Sequence, residues 1–224
     1  MSQDDEQPAS LEPRWPIALT VVCFIALTIA LRVLQPKRES VGPAWLVPTL
    51  EIAMLLALLA ANPAHIQERR RWLRRVAIGL IFALGAAALW STMVLINGLI
   101  SGSQVTQSAS SLLASGALIW LGNALVFSLA YWIFDTGGPW IRSQGTRPYP
   151  DFAFTQQMSP ELAPPGWRPM YVDYMVLGLN TSAAFSPTDV MPMARWAKLA
   201  MSAQSLLSLT VVALVVARAV NAFT

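Results

Sequence analysis

Long apolar runs alternate with short polar breaks along most of this chain. Residues 1–15, MSQDDEQPASLEPRW, are polar and acidic with two prolines and read as a disordered tail. The run over 16–35, PIALTVVCFIALTIALRVLQ, is long enough to cross about 30 Å of hydrocarbon as a helix. Arg32 near its end can snorkel to the headgroups. Comparable runs follow over 44–61, 76–100, 111–134 and 194–222. Trp45 and the Tyr131, Trp132 and Phe134 group fit the aromatic belts found where spans meet water. The pattern predicts an all-α fold: a polytopic transmembrane helix bundle with five spans, four of them in a helical region over 16–134.

Residues 135–170 break the pattern. They are rich in Gly and Pro, which interrupt helices, and form a loop long enough to suggest a function of its own. Trp140, Tyr149, Phe152, Phe154 and Trp167 within it suggest packing or an interfacial position. The apolar run from Tyr171, YVDYMVLGLNTSAAFS, is shorter than the roughly 20 residues of a straight span. It predicts a short helix stopping near Asn180–Ala184, then a turn, because Pro187 disfavours helical geometry at Ser186. Thr188 or Asp189 then caps a new helix. Residues 171–224 thus form a short helix, a turn and the last span. Over 171–186 the chain is either re-entrant or pore-helix-like, giving five spans, or it crosses fully, giving six.

Composition agrees with a membrane location. Fifty-five per cent of the 224 residues are hydrophobic and 12% are charged, about half the charged fraction of a soluble domain. A formal net charge of +3 gives no basis for a nucleic-acid partner. The single cysteine, Cys23, excludes an internal disulfide, and the single histidine, His65, lies in a polar stretch. Metal-ligand sets, nucleophile motifs and phosphate loops are absent, so neither an enzyme nor a cofactor is expected. Asp4, Asp5 and Glu6 have the wrong sign for a cleaved secretory signal.

Basic residues set the orientation. With the N-terminus inside and 171–186 re-entrant, Arg14, the arginines of 69–75, Arg142, Arg147, Arg168, Arg195 and Lys198 lie inside. Only Lys37, Arg38 and Arg218 then lie outside. The expected location is a cell membrane, a bacterial inner membrane by this pattern, with the N-terminus and the 62–75 loop cytoplasmic.

Candidate chemistry is sparse. Glu51 interrupts the second span, where a charged group costs about 2.5 kcal/mol or more on insertion scales. It reads either as a protonatable group or cation ligand facing a cavity, or as a protonated, hydrogen-bonded packing residue. Pro48 supports both readings by freeing a backbone carbonyl. Arg69, Arg70, Arg71, Arg74 and Arg75 are nearly consecutive and lie outside a span. They therefore fit a topology determinant that binds anionic lipid headgroups, not a voltage sensor. Asn97 and Asn123 fit hydrogen bonding between helices, and Gly79, Gly85, Gly116 and Gly122 fit close helix contact.

The last third carries a constellation. An aromatic-led segment runs from Tyr171 to Thr181, followed by Asp189-Val190 with Pro192 and a span ending VVALVVARAVN. This resembles the pore module of the tetrameric cation channels. The Trp120 to Tyr131 span, the Tyr171, Asp173 and Tyr174 cluster, the Ser186 to Val190 turn and the Ser-rich last span are similar to an uncharacterised family of bacterial multi-pass membrane proteins, known as a domain of unknown function. The channel resemblance implies pore-lining or ion-contacting roles for Asn180, Thr181, Ser182 and Asp189. It also implies a homo-oligomer or a membrane-complex partner, because one short chain cannot enclose a pathway. The potassium filter's glycines are replaced by Thr181-Ser182-Ala183-Ala184-Phe185, so potassium selectivity is not implied. The count of basic residues also puts the segment on the cytoplasmic side, whereas channel filters face outward. The expected function is a degenerate ion-channel-like pore module related to ion transport; the alternative is a non-transporting structural or partner-binding subunit.

Overall fold

The computed structural model describes residues 15–34, 49, 52–53, 71–101, 109–184 and 189–223. Among them are four helices long and apolar enough to cross a membrane. They correspond to α1 (Trp15–Leu34), α2 (Arg71–Ser101), α3 (Ala109–Phe134, its apolar stretch running on to Gly137) and α5 (Arg195–Phe223). A shorter helix, α4 (Tyr171–Ala184), has 14 residues. The chain thus has the character of a helical membrane protein. The expected span over 44–61, with Glu51, lies outside the described residues.

α3 is the centre of the bundle. Sixty-one per cent of its membrane-length stretch is buried, against 28% for each of the other three. Its sequence explains this: it carries apolar or small residues on every side and no charge, as a helix enclosed by others requires. Large apolar side chains on α1, α2 and α5 stay exposed, among them Ile29, Phe82, Met93, Leu206 and Val216. In a hydrocarbon solvent such a belt carries no penalty.

Two core clusters fix the helix directions. Ile17, Val21 and Phe24 of α1 join Ile81 and Leu84 of α2, Leu129 and Trp132 of α3, Tyr171 and Tyr174 of α4, and Ala197 and Met201 of α5. Leu31, Leu95, Leu99, Leu112, Val215 and Ala219 form the second cluster. The beginnings of α1, α2 and α5 therefore share one end with the close of α3, and α3 runs against the other three. Asn123 Nδ2 donates to Thr92 Oγ1 at 2.9 Å, the expected link between α2 and α3.

The segment 135–170 is not the irregular loop that its Gly and Pro content suggests. It folds into a cap of short elements at the end of the bundle where α3 closes. They include a tight turn at Asp135–Gly137, one helical turn at Pro139–Ser143 and strand β1 (Phe152–Phe154). β1 pairs antiparallel with β2 (Val190–Pro192), with Phe154 opposite Val190 and Phe152 opposite Pro192. β2 corrects a second expectation. Asp189 does not cap the next helix; its carbonyl accepts the Thr155 amide at 3.1 Å, and α5 begins only at Arg195. The local Ser-Pro-Thr-Asp signal gives way because pairing Val190 with Phe154 buries both side chains against the bundle.

Candidate functional site

α4 places the candidate residues. It begins at Tyr171 because Met170 acts as its N-cap: the Asp173 carboxylate turns back to accept the Met170 amide at 2.7 Å. It ends at Ala184, within the range expected from sequence. Tyr174, Leu177, Gly178, Thr181 and Ser182 recur at helical spacing on its buried face. Gly178 is what allows the approach. A Cβ there would overlap Ser128 Oγ and sit 2.9 Å from the Ala124 carbonyl oxygen of α3.

At the far tip of α4 the hydroxyl and carbonyl of Ser182 are committed to neighbours. The fully buried Gln204 of α5 receives the Tyr131 hydroxyl on Oε1. Its Nε2 donates to the Gly178 carbonyl at 2.7 Å and to Ser182 Oγ at 2.8 Å. The Ser182 carbonyl accepts Ser208 Oγ at 2.6 Å, and Trp120 Nε1 donates to Ser208 Oγ at 2.6 Å. This seam joins α3, α4 and α5. Trp120 lies 14 residues before Phe134 and Ser208 lies 13 after Arg195. The tip therefore sits about 20 Å in from the capped end.

The near end of α4 is held by a buried carboxylate. Asp135, 1% exposed, accepts the Tyr174 hydroxyl on Oδ2. Its Oδ1 accepts Thr136 Oγ1 at 2.9 Å and the Asp151 amide at 3.1 Å. The Asp151 carboxylate in turn accepts the Thr136 amide at 2.8 Å. These bonds hold Thr136 at φ 54°, a left-handed conformation that costs a non-glycine residue about 1–2 kcal/mol. Arg142 Nη1 donates to the Trp132 and Asp135 carbonyls at 2.7 and 2.9 Å, closing the C-terminus of α3. Its guanidinium carbon lies 4.9 Å from the Tyr174 ring centroid, a cation–π distance.

The expected site residues are dispersed. Thr181 and Ser182 are buried inside the bundle, and Thr181 Oγ1 has no hydrogen-bond partner. Asn180 is half-buried. Asp189 lies back at the base of α4, half-buried, with Oδ1 unpartnered. There it adds to the burial that pushes the Asp173 carboxyl above its ordinary range. Glu51, Arg69 and Arg70 lie outside the described residues. Arg71, Arg74 and Arg75 open α2, and Arg75 is exposed. No group of three or more His, Cys, Asp or Glu side chains suits a metal among the described residues.

Sequence reasoning missed Asp135, Asp151, Arg142, Gly178 and Gln204. An Asp two residues before a Gly-Gly pair and a lone Gln in an apolar span were the available signals. Comparison with protein families, curated proteins and solved structures gives no match.

Proposed function

We propose that this chain is a multi-pass membrane subunit of five spans, built on a degenerate ion-channel-like pore module that ties the bundle together instead of conducting ions. One observation carries the reading: the tip that would face a pathway is consumed inside the subunit. A filter presents oxygens to ions. Here the Ser182 hydroxyl and carbonyl are taken by Gln204 and Ser208, and Thr181 is enclosed.

A re-entrant course for 171–192 is supported by where its ends lie. Tyr174 meets Phe154 of β1 with ring centroids 5.3 Å apart, and Val190 pairs with the same Phe154. The two flanks of α4 thus share the capped end, while its tip reaches about halfway along α3. An oligomer or a membrane-complex partner belongs to the same reading, because one short chain cannot enclose a pathway. A cytoplasmic location for the capped end is supported by its basic residues. Arg75, Arg142, Arg147, Arg168, Arg195 and Lys198 lie toward it, against Arg32 and Arg218 toward the other.

Ion transport by an oligomer is the second reading, favoured by the half-exposed Asn180 and the unpartnered Asp189 oxygen. Ion flux in proteoliposomes separates the two. The expected result is no flux above empty vesicles, with Ser182→Ala loosening the fold and Thr181→Val leaving it intact. Flux that Thr181→Val or Asp189→Asn alters in a folded protein replaces the first reading with the second.

A further inference from the structure

From Asp135 to Lys198 the chain carries five acids and five bases, so this stretch has no net charge. The fold sorts these charges by sign. Asp135 is buried, and Asp151, Asp173, Asp189 and Arg142 are half-buried. Arg147, Arg168, Arg195 and Lys198 are exposed, with Glu161 the one exposed acid among them. The outer surface of the cap is therefore basic although its sequence is neutral.

That surface runs without a break into the apolar belt. Met191, Met193 and Arg195 alternate outward along the extended approach to α5, and each is exposed. Lys198, Leu199, Ser202 and Leu206 continue the same outer face at helical spacing, and all are exposed. Met191 and Met193 are each 58% exposed, which is costly in water for paired large apolar side chains beside an apolar stripe.

We propose that this face seats the cap on an anionic phospholipid surface. Arg195 and Lys198 contact headgroup phosphates, and Met191 and Met193 insert at the boundary with the acyl chains. Charge complementarity and continuity with the α5 stripe both point to that occupant, and the inference rests on α5 crossing the membrane. Each basic side chain at such a surface favours association about fivefold, so removing two weakens it about 25-fold.

The test uses the full chain in nanodiscs, with Cys23→Ser as background and a bimane label at Met191→Cys. Discs contain phosphatidylcholine alone or mixed with phosphatidylglycerol, plus headgroup spin-labelled lipid as quencher. Stronger quenching is expected in the anionic mixture, and Arg195→Gln with Lys198→Gln should abolish the difference. A label at Leu206→Cys, quenched by acyl-chain spin labels in both mixtures, reports that α5 spans. Failure of that control sinks the membrane reading itself. With the control satisfied, a Met191 label open to water in both mixtures overturns lipid docking and leaves the basic face to a soluble partner. Equal quenching in both mixtures, unchanged by the double variant, overturns the anionic preference.

Discussion

Replacing Gly178 with Ala tests how tightly α4 is locked to α3. The added Cβ would overlap Ser128 Oγ, which can rotate away, but would also lie 2.9 Å from the Ala124 carbonyl oxygen, which is backbone. Relief requires the two helices to separate by several tenths of an ångström. That movement also stretches the 2.7 Å bond from Gln204 Nε2 to the Gly178 carbonyl. Overpacking of this kind costs about 1–3 kcal/mol, while Ala is favoured over Gly within a helix by about 1 kcal/mol. The backbone clash remains whatever Ser128 does, which puts the cost in the upper part of that range, about 2–3 kcal/mol, so a net loss near 1–2 kcal/mol is expected. For a chain of this size that is a fall of about 2–8 °C in the melting midpoint, read by thermal unfolding of the purified protein in nanodiscs. Ser128→Ala in the same chain should recover part of the loss, since it removes one of the two collisions. A Gly178→Ala protein as stable as the parent, or more so, refutes the close-packed seam.

Tyr174→Phe leaves the buried Asp135 carboxylate short of one donor, and a loss of about 1.5–3 kcal/mol is expected in the same unfolding assay; a change below 0.5 kcal/mol would show that the contact is not holding α4. Asp173 has its carboxyl raised by burial, so the folded state holds this proton more tightly than the unfolded chain does. Its stabilising contribution is present at low pH and lost as pH rises from the ordinary Asp value of about 4 through the raised one. Asp173→Asn should flatten that part of the stability–pH curve while keeping an oxygen for the Met170 amide, and an unchanged slope contradicts the assignment.

Four of the five expected spans were legible because length and apolar content suffice to mark a helix that can cross hydrocarbon. α4 was legible for the complementary reason: its apolar run is too short for a straight span. The central position of α3 was less so, because a helix that is apolar on every side gives no sign of which face meets which neighbour. The cap was illegible. Its closure depends on Asp135 meeting Asp151, Phe152 and Tyr174, and on β1 pairing with β2. No local pattern encodes contacts so far apart in sequence. The Asp189 helix start failed for the same reason, a local capping signal being overruled by pairing with a distant strand. Asn180, Thr181, Ser182 and Asp189 looked like one cluster because they are close in sequence. The helix instead turns Thr181 and Ser182 into the bundle, while Asp189 lies beside the start of that helix.

The side of the membrane on which the C-terminus lies tests the central claim most directly. If α4 enters and leaves at the capped end, the N-terminus and C-terminus lie on opposite sides, with the N-terminus and residues 62–75 cytoplasmic. Reporter fusions at each terminus, with Ala64→Cys labelled in intact cells, read this in one experiment. The expected result is a cytoplasmic N-terminus, an external C-terminus and no labelling of Ala64→Cys from outside. Both termini on the same side would mean that 171–186 crosses the membrane, and would contradict the account.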